Sequence, residues 1–168
     1  MTDCSPASSG PWIDINLCDQ SLTTFENQAK RQRYLISSGA NGSGQQNGSG
    51  CTPLGKHQIR AKIGQGEALN TVFRGRRPTG EIYQRGMRDA APERDWILTR
   101  ILWLSGCEPG FNRLGEVDTM RRYIYIHGSP DEVEMGQIGS KGCIRMRNED
   151  LLALFDWAPI GCEVHIHE

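Results

Sequence analysis

Ile13, Ile15 and Leu17 alternate with Asp14 and Asn16, the period of two expected of a half-buried strand. Leu22 to Phe25 and Tyr34 to Ser37 continue as two further strands of a meander, with Asn27-Gln28 as the turn between them. His57, Ile59, Ala61 and Ile63 fall on one face of another strand. The run from Ile97 to Leu104 is nearly all apolar and reads as a buried central strand. Tyr123-Ile124-Tyr125-Ile126, aromatic and β-branched, reads as a second one. Val164 and Ile166 mark a last short strand. One segment has helical spacing: Leu151, Leu154, Phe155 and Ala158, with Asn148 placed to cap it and Pro159 with Gly161 to end it. Residues 64–95 are polar, rich in Gly and Pro, and read as an irregular excursion with one short strand near Thr79–Tyr83. Together these elements predict a mostly β fold, a β-sandwich or open barrel with one C-terminal helix packed on it.

Residues 37–50, Ser-Ser-Gly-Ala-Asn-Gly-Ser-Gly-Gln-Gln-Asn-Gly-Ser-Gly, carry no apolar pattern and read as a flexible loop. They hold a good part of the glycine excess, 20 in 168 residues, about 12% against an average near 7%. The length predicts one domain, taken as residues 12–168 after a short tail at 1–11. The 19 basic and 20 acidic residues leave a net charge of -1, which argues against a non-specific nucleic-acid binder. No apolar run approaches the roughly 18 residues of a membrane helix. No signal peptide is visible at the N-terminus, so a cytoplasmic location is expected, or a periplasmic one if the native chain has residues before Met1.

The six cysteines, Cys4, Cys18, Cys51, Cys107, Cys143 and Cys162, are scattered and form no C-x-x-C pair. That argues against zinc-ribbon and thioredoxin-type sites. His165 and His167 lie near Cys162, but the further ligands of a metal site are missing, so no metal or cofactor is expected. One cysteine has chemical context. His127-Gly128 follows directly on an apolar strand, and Cys143 stands 16 residues later in Ser140-Lys141-Gly142-Cys143-Ile144-Arg145-Met146. An imidazole that accepts a thiol proton makes the sulfur a nucleophile toward a carbonyl. A glycine before the nucleophile lets the backbone turn its N–H groups toward a developing oxyanion. Serine routes are disfavoured, because neither Ser-x-x-Lys nor Gly-x-Ser-x-Gly is present.

These residues resemble a known signature. Ile126-His127-Gly128 followed by Ser140 to Met146 is similar to that of the L,D-transpeptidase (YkuD-like) catalytic domain, a His-Gly, a loop, then Ser-His-Gly-Cys with an apolar residue and Arg or Asn. Thr52-Pro53-Leu54-Gly55-Lys56-His57-Gln58-Ile59 resembles the family's Thr-Pro-x-Gly element, and Trp103 to Gly106 and Arg122 to Gly128 also fit. The resemblance implies a cysteine enzyme that cleaves the L-centre–D-Ala bond of murein tetrapeptide stems through a thioester. On this chain it implies Cys143 as nucleophile, His127 as base and the Gly128 carbonyl as its orienter. Ser140, Lys141, Gly142 and Arg145 would form the oxyanion and substrate-binding set. Lys141 stands where the family has a second histidine, and a lysine so near Cys143 would favour the thiolate. The missing leader points to hydrolysis in murein recycling, an L,D-carboxypeptidase giving tripeptide. A periplasmic enzyme forming 3-3 cross-links is the alternative, and an inactive domain that binds peptidoglycan stem peptides is the alternative of another class.

Overall fold

The computed structural model describes residues 9–168; Cys4 and most of the expected tail lie outside them. Ten strands belong to one mixed sheet. β1 (Trp12–Asn16), β2 (Ser21–Glu26) and β3 (Ala29–Leu35) form the expected meander. Its second turn is Asn27-Gln28, with φ of 51° and 64°, the left-handed pair that a two-residue hairpin needs. β4 (Gly55–Ile63) and β7 (Ile97–Gly106) are central and antiparallel, and β10 (Glu163–His167) joins β4 to β1. β8 (Tyr125–Gly128) lies on the other edge of β7, and the three-residue β9 (Ile144–Met146) runs parallel to it.

The sheet closes on itself. Just past β3, Ser37 pairs with Arg145 of β9, exchanging backbone hydrogen bonds of 2.9 Å in both directions. The path β3-β2-β1-β10-β4-β7-β8-β9 therefore becomes an open barrel joined by two bridges, Ser37–Arg145 and Gly39–Ser140. Its interior holds Ile13 and Ile15, Leu22, Ile59, Leu102 and Leu104, Ile126, Ile144, Val164 and Ile166, all at 2% exposure or less. Each such side chain contributes about 1.5–3 kcal/mol on burial. The helix α2 (Asn148–Trp157) adds Leu151, Leu154 and Phe155 to that core, as its spacing predicts.

Three expectations are corrected. Residues 37–50 are not an unpacked linker. Ser37 and Ser38 are buried, Ala40 N–H donates to Ser140 C=O, and Gly44 N–H donates to Thr52 C=O. Their backbone groups find protein partners, which low apolar content does not preclude. In the 64–95 excursion the strand expected near Thr79–Tyr83 is present as β6 (Arg77–Ile82), but it belongs to a hairpin with β5 (Thr71–Arg74) and is followed by a single helical turn, α1 (Met87–Ala90). The hairpin turn is Gly75-Arg76, and an arginine at φ 64° hides it from a sequence reading. Asn148 does not cap α2: its side chain accepts from Thr99 Oγ1 at 2.7 Å and donates to Ser129 C=O at 2.8 Å, both away from the helix.

His57 is fully buried and satisfied on both ring nitrogens, by the Gly55 carbonyl at 3.0 Å and Thr119 Oγ1 at 3.0 Å. Burial lowers it to about 4. A histidine held neutral in the fold binds fewer protons than in the unfolded chain between about 6.5 and 4, so stability falls as pH drops through that window. Urea unfolding is expected to show the loss, on the order of a few kcal/mol, and His57→Gln is expected to flatten the slope.

Candidate active site

β8 and β9 pair with Ile126 beside Ile144 and His127 beside Arg145. This parallel register brings His127, near the end of β8, to the same place as Cys143, the residue before β9. Both line one cleft of about 480 Å³, with Ser140, Lys141, Arg76 and Asp95 also in its wall. Tyr123, Tyr125 and Arg122 complete one side of it.

Cys143 packs on an apolar cluster of Phe73, Ile101 and Tyr125. Its sulfur accepts from Tyr125 N–H at 3.3 Å, and the thiol donates to the Tyr123 carbonyl at 3.4 Å. Burial pushes the thiol up to about 12, and Asp95 acts in the same direction against the Tyr125 N–H, Arg145 and Arg122. Lys141 is exposed in the cleft wall, and the cations named as favouring the thiolate, Arg145 and Arg122, are outweighed by burial.

His127 is fully buried. Its Nδ1 lies 2.6 Å from the Gly128 carbonyl, a contact that requires Nδ1 to carry the proton. Nε2 then holds a lone pair, and it has no hydrogen-bond partner. Burial keeps the ring below the ordinary histidine range, although Asp95 and the Gly128 carbonyl favour the charged form. The pair at rest is thus a neutral thiol and a neutral imidazole.

Gly128 has no room for a side chain. A Cβ there would strike Asn148 Oδ1 and come 2.6 Å from the Leu98 carbonyl. Asn148, anchored to Thr99 and Ser129, therefore sets the path of the backbone whose carbonyl holds His127. Gly128→Ala is expected to cost about 3 kcal/mol by overpacking, seen as a drop in Tm of roughly 6–12 °C.

The loop before Cys143 is tied from three sides. Ser140 Oγ donates to the Cys143 carbonyl at 2.5 Å and accepts from Gly142 N–H at 3.1 Å. The Gly142 N–H expected to face an oxyanion is thus engaged within the loop. Gly142 sits at φ +118°, and a Cβ would meet the Cys51 carbonyl at 3.0 Å. Buried Thr52 donates from Oγ1 to the Gly142 carbonyl at 2.9 Å and accepts from Gly39 N–H at 2.9 Å. The Thr-Pro element is therefore a brace for the Cys143 loop. Arg145 is half-buried but lines a neighbouring cavity, shared with Lys141, and not the Cys143 cleft itself.

Across residues 10–166 the chain matches the family model of the L,D-transpeptidase catalytic domain, YkuD. The chain belongs to this family. It is 25% identical to the putative L,D-transpeptidase YqjB of Bacillus subtilis over 162 residues, 96% of this chain and 74% of that protein. A shorter match, 44% identical over 45 residues, links it to the probable L,D-transpeptidase ErfK/SrfK of Salmonella typhimurium, covering 27% of this chain but only 15% of that one. Its fold is shared with L,D-transpeptidase 3 from Mycobacterium tuberculosis, solved with a faropenem-derived adduct, at TM-score 0.57 and 14% identity over 95% of this chain and 61% of that one.

In this L,D-transpeptidase domain, several residues shape the cleft without standing out in the sequence. Arg122 donates to the carbonyls of Gly44 at 3.1 Å, Gln45 at 3.0 Å and Cys51 at 2.6 Å, and to Ser49 Oγ at 3.4 Å. One guanidinium thus folds the glycine-rich segment against the site. Arg122→Gln is expected to lower stability by about 2–3 kcal/mol, read by urea unfolding, and to raise amide exchange across residues 44–51. Arg76, from the hairpin tip, donates to Tyr125 Oη at 3.0 Å and covers the rings of Trp103 and Tyr123 at 4.9 and 4.8 Å. Position within a hydrophobic stretch hints at Tyr125 and Trp103, but nothing local announces Arg76 or Asp95.

Proposed function

We propose that this domain is a cysteine acyltransferase of murein stem peptides that works as an L,D-carboxypeptidase, releasing D-Ala from tetrapeptide. The observation that carries the reading is the buried, unpartnered Nε2 of His127 in the same cleft as the Cys143 thiol. Family membership supplies the reaction class.

The chemistry follows from the two neutral groups. As Cys143 Sγ attacks the carbonyl of the L-centre, its proton passes to His127 Nε2. The imidazolium is stabilised by its Nδ1–H bond to the Gly128 carbonyl. With the Gly142 N–H held by Ser140, the N–H groups of Lys141 and Cys143 serve the oxyanion. The C–N bond then breaks, His127 returns the proton to the departing D-Ala amine, and a thioester remains on Cys143. Water attacks the thioester with His127 again as base, giving tripeptide and the free thiol. Hydrolysis of soluble peptides suits murein recycling and a cytoplasmic enzyme. An amine on a second stem in place of water would give a 3-3 cross-link.

Incubation with disaccharide tetrapeptide, with and without an acceptor stem, followed by mass spectrometry, tests this. Tripeptide without acceptor is the expected product. A dimer formed only with acceptor would replace hydrolysis by cross-linking. An unchanged tetrapeptide in both reactions would sink the enzyme reading and favour the binding module.

A further inference from the structure

A second cavity of about 200 Å³ adjoins the cleft and is lined by Arg88, Arg94, Asp95, Trp96, Lys141 and Arg145 among others. Asp95 and Lys141 also line the Cys143 cleft, so the two spaces share a wall. The lining carries four cationic side chains and one carboxylate. Arg94 is neutralised: its guanidinium forks onto Glu81 at 3.0 and 2.5 Å and lies over the Trp96 ring at 4.3 Å. Arg88 and Arg145 are not. Among the described residues neither guanidinium has a hydrogen bond or an ion pair within 4.0 Å, and Asp95 closes on neither to that distance.

Arg145 is half-buried and fixed by the β8–β9 register. Arg88 lies on the single turn α1, in the excursion outside the family signature. Burial works most against the charge on Arg145, and Arg88 adds to it, while Asp95 favours the charge. Two guanidiniums lining one cavity, with Asp95 as its one carboxylate and ion-paired to neither, leave a cationic excess suited to a bound carboxylate. Guanidinium forks match carboxylate geometry.

We propose that Arg88 and Arg145 form a carboxylate subsite next to the Cys143 cleft, with Lys141 in the shared wall, which reads a free carboxylate of the peptide that acylates Cys143. This rests on the reading above that stem peptides are the substrates. A tetrapeptide stem offers two carboxylates near the scissile bond. One is the C-terminal carboxylate of D-Ala, and the other is the side-chain carboxylate of a third residue such as diaminopimelate.

Arg88→Gln is the variant that tests it, because Arg88 lies outside the Cys143 cleft and is exposed. On the tetrapeptide acid, kcat/KM is expected to fall about 10–100-fold, the worth of a charge-assisted bond, mostly through KM. Arg88→Lys is expected to recover part of the loss. On the C-terminal carboxamide, or on a peptide with lysine as third residue, the substitution is expected to lose its effect, and the peptide on which it does so identifies the carboxylate read. An equal loss on all three peptides, or none on the acid, overturns the subsite. A second measurement needs no turnover. Alkylation of Cys143 by iodoacetate and by iodoacetamide, resolved by peptide mass spectrometry, gives a rate ratio that Arg88→Gln is expected to lower about tenfold. A falling ratio in a protein that leaves tetrapeptide intact sinks the proposed function and keeps the subsite; an unchanged ratio sinks the subsite whatever the turnover.

Discussion

Cys143→Ala is expected to abolish tripeptide release, by a factor on the order of 10⁶, the scale of losing a nucleophile from a coupled catalytic pair. It is also expected to remove any covalent adduct formed with faropenem, read as an added mass on the intact protein. The substitution is a clean test because of where the sulfur sits. The residue packs on Phe73, Ile101 and Tyr125, and among the described residues its thiol makes two hydrogen bonds with backbone groups, both weak by distance. Alanine keeps the apolar packing nearly intact, so circular dichroism and melting temperature are expected to stay close to the parent. Residual turnover within tenfold of the parent would show that another group carries the reaction. The other described cysteines, Cys18, Cys51, Cys107 and Cys162, are also free thiols, and adducts on them would persist in the variant.

His127→Asn is expected to lower kcat/KM by about 10²–10⁴-fold, the usual contribution of general base catalysis. The pH profile of the parent enzyme makes the argument sharper. The base must be neutral to accept the thiol proton. Burial holds His127 below the ordinary value of 6.5, so the neutral form survives to lower pH than in a free histidine. The rate is therefore expected to be level from about pH 6.5 upward and to fall only on the acid side of it. On the alkaline side the thiol, pushed up to about 12, supplies no thiolate near pH 8 or 9, where an ordinary cysteine would. A profile of kcat/KM that rises through pH 8.5 would mean a free thiolate mechanism and would overturn the neutral pair. An acid limb centred above 6.5 would show that His127 is not held neutral by its site.

Much of the scaffold is legible along the chain. The alternation at Ile13 and Ile15, the apolar run from Ile97 and the spacing of Leu151, Leu154 and Phe155 each became the element they predict, since each pattern records one buried face. The hairpin at Gly75-Arg76 was not legible. Its turn uses an arginine at positive φ, tolerated because Tyr125, Trp103 and Tyr123 hold the side chain from elsewhere in the sequence. The segment at 37–50 misled for a related reason. Its composition reports only that it cannot build a core, whereas its order comes from partners far along the chain, above all Arg122 and Thr52.

The sequence by itself determined the chemical pieces: a His-Gly at a strand end, a cysteine behind a glycine, and a Thr-Pro element, each recognisable because the chemistry or the backbone demands those residue types. Only the tertiary structure decided their state and surroundings. Parallel pairing of β8 with β9 sets His127 beside the Cys143 loop, and burial then keeps both groups neutral. The same folding turns Gly142 N–H onto Ser140 and sets Arg145 beside Arg88 rather than in the cleft. Protonation and free charge depend on burial and on neighbours distant in sequence, and no local pattern of residues encodes either.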